Sequence, residues 1–310
     1  MAITFLGPSG TFCEEALLTT EEAQGAELQP CTTIPEVIAS VEEETAHAGL
    51  VPFENSIEGT VNLTLDTLAF SSSRALIRRE VKLPIRLHLM APKGSSLSDV
   101  TAVLSHPHAA GQCREWTSAN LPGAEVRVTS SNAEAARIAA ETGKGLAAVG
   151  PALSAKLYGL DILASGIEDY PDNVTRFLLL AREMLPPTGN DRTSVLCFAE
   201  DRPGSLLSIL EEFAVRDINL TRLESRPAKT GLGEYFFSID CEGHLADARM
   251  RDCLMSLYRK LPKVKVLGSY PSASPPRVPE TWAGDAAYED ACRWHACLEH
   301  GIAPAGKDSH

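Results

Sequence analysis

The sequence predicts an α/β protein of more than one domain, and three observations carry that expectation. Short apolar stretches with strand character alternate with helix-patterned stretches through most of the chain. The break Met184-Leu185-Pro186-Pro187-Thr188-Gly189-Asn190 then interrupts the alternation. Beyond it lies a unit of about 80 residues whose elements run βαββαβ, the order of a ferredoxin-like fold.

Each element has a local reason. Ala2–Leu6 reads as a strand that stops at Gly7-Pro8-Ser9-Gly10, and Phe12–Glu22 follows as a helix. Thr33-Ile34-Pro35-Glu36 has the form of a capping box with proline in the first turn, and Val37, Ile38 and Val41 follow at helical spacing. Gly49–Phe53 is a strand running into Glu54-Asn55-Ser56, and Val61–Phe70 is helical again. A second set opens near Leu83. Ile85–Ala91 alternates like a strand, His108–Ala119 reads as a helix and Ala124–Thr129 as a strand. Ser131-Asn132-Ala133-Glu134 is another capping box, opening an alanine-rich helix to Glu141. Leu146–Val149 is a strand, Ala152–Tyr158 a short helix and Val174–Ala181 a closing strand. Such alternation predicts parallel pairing.

After the break, Arg192–Phe198 is a strand and Pro203–Val215 a helix with Leu206, Leu207, Ile209, Leu210, Phe213 and Ala214 on one face. Leu220–Arg226 and Glu234–Asp240 are strands around a glycine-bearing turn, followed by a helix at Ala246–Leu261 and a strand at Val264–Tyr270. Ser272–Pro279 reads as an extended linker and Glu289–Glu299 as one short helix. Trp282 and Trp294 give this tail the means to dock weakly.

Composition narrows the function classes. The 310 residues carry 28 Lys+Arg against 41 Asp+Glu, a formal charge of −13, which argues against a general nucleic-acid binder. No apolar run reaches the roughly 18 residues a membrane span needs, and the N-terminal MAITFLGPSG lacks the layout of a secretory signal. The 8 cysteines are scattered without a CxxC pair, the pattern of reduced thiols in the cytoplasm. If the ligand is an anion, a local site must overcome the global field.

Several segments carry chemistry, and each has an ordinary reading beside the functional one. The Gly7–Phe12 turn between strand and helix offers free N–H groups to a carboxylate or phosphate, or is simply a tight connection. Asn55 and Ser56 follow a buried strand, where open α/β sheets bind ligands, or they cap the next helix. His106-Pro107-His108 could hold a metal, but a turn and helix cap is preferred because no third ligand stands at useful spacing. Cys113 reads as a packed thiol. Arg176 enters an apolar strand and needs either an anionic ligand or an ion pair; in an extended chain it faces away from Thr175. Cys292, His295, Cys297 and His300 fan around one short helix and cannot close on one tetrahedral ion, so no metal is expected.

Taken together, Gly7–Phe12, Val51–Gly59, His106–Cys113, Ala148–Asp169 and Asn173–Phe177, then Pro203–Leu207, Ile218–Pro227 and Glu242-Gly243-His244, resemble the prephenate dehydratase family in its monofunctional form with a C-terminal ACT regulatory domain. The resemblance implies a two-lobed, periplasmic-binding-protein-like catalytic region over 1–185, a ferredoxin-like ACT domain over 191–271 and a flexible tail over 272–310. It implies a carbon–oxygen lyase that turns prephenate into phenylpyruvate, water and carbon dioxide without a cofactor or metal, in a cleft between the lobes. Thr175 would assist the departing hydroxyl, Arg176 would bind a carboxylate and Phe177 would wall the ring. Gly10, Thr11, Asn55, Ser56 and Gln112 would complete the substrate site. Cys13 and His108 depart from the residues common in the family, a small hydroxyl residue and glutamine. In the ACT domain, L-phenylalanine would be the effector, bound by Gly204, Ser205, Leu206, Asn219, Leu220, Glu224 and Ser225 in a homodimer or homotetramer. No fused chorismate mutase is expected, since no helical domain precedes Gly7. Two other readings stay open: an arogenate dehydratase, and a catalytically silent amino-acid sensor on the same fold.

Overall fold

A computed structural model describes residues 1–229, 235–275 and 285–300. It divides into two compact units, Met1–Glu183 and Met184–His310. In the first unit the chain runs β1 (Ala2–Leu6), α1 (Phe12–Leu18), β2 (Glu27–Cys31), α2 (Ile34–Glu42), β3 (Ala48–Asn55), β4 (Gly59–Thr60), α3 (Asn62–Asp66) and β5 (Leu76–Pro84). It continues through β6 (His88–Ala91), β7 (Ala102–Ser105), α4 (Pro107–Gln112), α5 (Arg114–Asn120), β8 (Glu125–Val128), α6 (Asn132–Thr142), β9 (Leu146–Gly150), α7 (Ala152–Tyr158), β10 (Asp161–Ser165) and β11 (Val174–Ala181).

These strands form separate sheets, one per lobe. The first has 6 strands in the order β2-β1-β3-β11-β5 with β4 attached to β3; the second has 5 in the order β10-β6-β9-β7-β8. The chain crosses between lobes after β5 and again before β11, and the two crossings are tied where Ile85 N–H donates to the Asn173 carbonyl at 2.8 Å. Parallel pairing holds for β1 with β2 and β3 and for β7 with β8 and β9. The expectation of parallel sheets is corrected elsewhere, because β11 runs antiparallel to both β3 and β5, and β6 antiparallel to β9 and β10. The reason is geometric: β11 returns from the other lobe at the edge where β3 ends, so it must run back along β3.

Each lobe has its own core. Ile3, Phe5, Cys13, Leu17, Leu50 and Phe177 pack in the first, and Leu87, Leu89, Val103, Cys113, Val149 and Ile167 in the second. Phe12 and Leu83 pack against both and so join the lobes. The expected helix from His108 is two pieces, broken at Cys113, whose φ of −117° leaves the helical range. The Thr33 capping box forms as expected, with Thr33 Oγ1 accepting from Glu36 N–H at 3.3 Å.

The second unit contains β12 (Asp191–Ala199), α8 (Ser205–Ala214), β13 (Leu220–Pro227), β14 (Tyr235–Glu242), α9 (Ala248–Lys260), β15 (Lys263–Pro271) and α10 (Asp285–Glu299). The 4 strands pair antiparallel in the order β13-β14-β12-β15, which is the βαββαβ topology. Val195, Cys197, Ile209, Phe213, Ile239 and Leu257 fill the core between sheet and helices. The helix α10 lies against α9, where Arg249 Nε stands 3.7 Å from Asp285 Oδ1. The glycine-bearing turn between β13 and β14, much of the Ser272–Pro279 linker and Trp282 lie outside the described residues.

Candidate active site

The site is built where β3 ends and β11 begins. Antiparallel pairing places Thr175 directly opposite Asn55. The Asn55 side chain folds over the turn that follows: its Oδ1 accepts the N–H groups of Ile57 and Glu58 at 2.9 and 3.0 Å. That leaves the amide nitrogen facing β11, where it donates to Thr175 Oγ1 at 2.8 Å and to Asn173 Oδ1 at 2.7 Å. Ser56 completes the crossing between strands, donating its N–H to the Val174 carbonyl at 2.9 Å and accepting Val174 N–H on its Oγ at 3.0 Å.

The other lobe reaches this group through α4. Gln112 at the end of α4 accepts on Oε1 from Asn173 Nδ2 at 2.8 Å and presents its own Nε2 at 3.4 Å from Glu58 Oε1. Glu58 in turn stands 3.1 Å from His108 Nδ1. One polar chain therefore runs from Thr175 through Asn55, Asn173 and Gln112 to the exposed Glu58–His108 pair. Burial and the neighbouring His108 push His106 below the usual histidine range, against an opposing pull from Glu58. His106 stands at the N-cap position of α4, ahead of Pro107, and its ring makes no capping hydrogen bond to the helix. Among the described residues, no group of three or more His, Cys, Asp or Glu stands together in a way that could hold a metal.

Other expected residues lie apart from this chain. The Thr11 hydroxyl caps α1, accepting from Glu14 N–H at 3.5 Å, and donates to the Leu6 carbonyl at 3.2 Å. Gly10 N–H donates to the Glu14 carboxylate, and the Gly10 carbonyl accepts from Ser154 Oγ of α7 at 2.6 Å, so this turn is a contact between lobes. Phe177 is 3% exposed within the first lobe's core, on the same face of β11 as Thr175 but one step deeper. Arg176 points the opposite way. Its Nε lies 2.7 Å from Glu80 Oε2, its NH1 3.7 Å from Glu54 Oε2, and its guanidinium carbon 5.2 Å from the centre of the Phe53 ring. The structure thus gives Arg176 the ion pair rather than bringing it to Thr175. Cys13 and Cys113 are packed thiols, both pushed up to about 12 by burial.

Sequence reasoning identified Asn55, Ser56, Gln112 and Thr175, which the structure brings together. Asn173 joins them in the structure, although the sequence assigns it no role beyond its place before Thr175-Arg176-Phe177. The signal available was a carboxamide immediately before a strand, and its partners are far away in sequence.

In the second unit, Gly204, Ser205 and Leu206 line a cavity of about 410 Å³ with Arg202, Tyr235 and Phe237. Gly204 has φ +85° at the cap of α8, a conformation that glycine adopts without strain. Leu220, Glu224 and Ser225 lie on β13 at an edge of the sheet, with Asn219 just before it. Glu224 pairs with Arg222, and its other oxygen is 3.9 Å from Arg226 NH1.

Comparisons with known proteins agree in direction. The family model for prephenate dehydratase matches residues 3–185, and that for the ACT domain matches residues 193–257. A prephenate dehydratase from Amycolatopsis methanolica is 41% identical over 303 residues, covering 96% of this chain and 98% of that protein. The solved structure of a prephenate dehydratase in complex with L-Phe from Arthrobacter aurescens superposes with a TM-score of 0.88 at 41% identity, covering 97% of this chain and all of the other. The structure of GqqA, described as a novel type of quorum quenching acylase, has a TM-score of 0.78 at 31% identity and covers 89% of this chain and 99% of its own.

Proposed function

The chain belongs to the prephenate dehydratase family and carries an ACT domain, and from that premise we propose that it converts prephenate into phenylpyruvate, water and carbon dioxide, with Thr175 assisting the departing hydroxyl. The observation that carries the assignment of Thr175 is the 2.8 Å hydrogen bond from Asn55 Nδ2 to its Oγ1. A hydroxyl that already accepts on one lone pair from a fixed amide keeps its own hydrogen to donate. The amide also polarises the O–H bond through the shared oxygen.

The reaction needs orientation and one proton. The ring C–CO₂ bond breaks, its electron pair moves into the ring, and the hydroxyl opposite leaves. One proton joins that oxygen to make water, and the dianion becomes a monoanion. Aromatisation supplies the driving force, so the protein's task is to hold the ring and stabilise the leaving oxygen. An alcohol is a weak acid, so Thr175 donates a hydrogen bond while the proton itself comes from solvent. Ser56 and Gln112 supply neutral donors for the carboxylates, while Asn55 spends both amide hydrogens on Thr175 and Asn173, with Gly10 and Thr11 shaping the edge of the site. Phe177 supports β11 from beneath, and Arg176 positions the strand through Glu80 and Glu54.

At the ACT domain L-phenylalanine is the effector. Its carboxylate meets the start of α8 at Gly204, Ser205 and Leu206, where Ser205 N–H turns back to the Arg202 carbonyl at 3.2 Å and the following first-turn N–H groups have no intrahelical acceptor. Asn219, Leu220, Glu224 and Ser225 approach from the second member of an ACT pair, in a homodimer or homotetramer. Among the described residues no helix is long and apolar enough to cross a membrane. The scattered cysteines, without a CxxC pair, support a place in the cytoplasm.

The acylase likeness does not displace this reading, since Thr175 is partnered by an amide, which cannot take a proton from an attacking hydroxyl. The purified chain is expected to form phenylpyruvate from prephenate faster than it forms phenylalanine from arogenate, and Thr175→Ala to lower kcat by about 10²–10³-fold. Near-native turnover by folded Thr175→Ala would overturn the assignment of Thr175. An inert wild-type chain would overturn the activity.

A further inference from the structure

We propose that Asn173 is a positioning residue, whose one buried carboxamide at the lobe hinge passes the direction of one neutral amide serving the reaction, Asn55, to the other, Gln112. The inference rests on the dehydratase reading above and names a residue that reading does not use.

The placement of Asn173 is the first support. It precedes β11 on the second crossing between lobes, is 1% exposed, and its carbonyl takes the Ile85 N–H of the first crossing. It is therefore fixed to the hinge by its backbone while its side chain reaches both lobes: Asn55 and Ser56 at the end of β3, and Gln112 on α4.

The direction of the hydrogen bonds is the second support. Two backbone N–H groups, from Ile57 and Glu58, point at Asn55 Oδ1, and a backbone N–H can only donate. Asn55 must therefore turn its NH₂ toward β11. One of those hydrogens meets Thr175 Oγ1 and the other meets Asn173 Oδ1. With its oxygen thus engaged, Asn173 can only donate from Nδ2, and Gln112 Oε1 receives that bond at 2.8 Å. Gln112 is then obliged to present its NH₂ outward, on the Glu58 side. The sense of the whole chain is dictated from one end, and Asn173 is the link that passes it between lobes.

Only a group that both accepts and donates at fixed positions can do this. A methyl group does neither, and it leaves buried amide atoms without partners. A carboxylate accepts from Asn55 but cannot donate to Gln112, so the Gln112 amide loses its reason to face outward. A protonated carboxyl restores both functions, and that gives the test its leverage.

The test measures prephenate turnover for wild type, Asn173→Ala and Asn173→Asp from about pH 8 to about pH 5, a range that a carboxyl group with a pKa raised by burial enters. L-phenylalanine calorimetry and thermal unfolding report folding of the same samples. Asn173→Ala is expected to lose about 10²-fold in kcat, the scale of a small misplacement of reacting groups, with a much smaller change in KM. Asn173→Asp is expected to be impaired at the upper end and to regain activity relative to wild type as pH falls. If Asn173→Ala fails to fold, the pH profile of the isosteric Asn173→Asp decides alone. Wild-type kcat in the folded variants, or an Asn173→Asp deficit that does not change with pH, would overturn the positioning role while leaving the dehydratase reading intact. A wild-type chain without prephenate turnover would remove the reading itself.

Discussion

Arg176 carries its guanidinium 2.7 Å from Glu80, whose side chain has no solvent exposure, while one residue earlier the Thr175 hydroxyl is met by an amide. Alternation along β11 separates these environments: a neutral, cleft-side face for Thr175 and an ion pair on the other. Burying two charges is costly, and removing one partner leaves the other to bear that cost without its nearest counter-charge. Arg176→Ala is therefore expected to lower unfolding free energy by about 3–5 kcal/mol in urea titration. Arg176→Met combined with Glu80→Leu should recover most of that loss, because a well-packed apolar pair avoids the desolvation cost. A loss under about 1 kcal/mol for the single change, the range of an exposed pair, would show that the ion pair does not hold β11.

The turn between β1 and α1 shows how an element junction serves the lobes. Gly10 has φ +88°, and a Cβ there would stand 3.3 Å from both Leu157 Cδ2 and Ser154 Oγ of α7. Gly10→Ala thus meets a backbone penalty of about 1–2 kcal/mol together with pressure on the lobe contact. Denaturant midpoints should fall for Gly10→Ala, and an unchanged midpoint would show that the turn relaxes freely. Elements with clean periodicity were legible in the sequence: β1, the Thr33 capping box, β9, α7 and β11 all stand where pattern and capping put them. The strand β5 was missed because Arg78-Arg79-Glu80 interrupts its apolar pattern, and pairing with Arg176 is what lets Glu80 sit inside. Direction of pairing was illegible for a similar reason, since whether β11 returns to the first sheet depends on the route through the second lobe. Within the candidate site, Asn55, Gln112 and Thr175 could be read because strand ends and helix ends gather ligand groups. Asn173 could not, because its value lies entirely in partners brought from other parts of the chain.

Acid stability is a property of the whole molecule, and each unit holds a carboxyl far below its ordinary value, Glu42 in the first and Glu212 in the second. Burial works against ionisation of Glu42, but Ser72 and the N–H groups of Ala75, Arg74 and Ser73 donate to it and hold it at about 2. Burial likewise opposes ionisation of Glu212, yet hydrogen bonds from Lys260, Ser256 and Arg216 bring it to about 2. Both lie below the ordinary value of 4.5, so their contributions are complete above that pH and are lost as pH falls through 2. Stability should therefore decline from about pH 4.5 toward about pH 2, and Glu42→Gln should start lower and lose less over that window. Equal slopes in wild type and variant would remove Glu42 from the account. The order of strands in the first sheet carries a consequence for synthesis. Its inner strand β11 lies between β3 and β5 yet is the last of the six to leave the ribosome, after the entire second lobe. A nascent chain that ends at Pro84 has β3 and β5 with nothing between them, two open edges of the kind that pair with other chains. The second lobe can close on its own strands during that interval, so it matures first, and the older half of the chain waits for the younger.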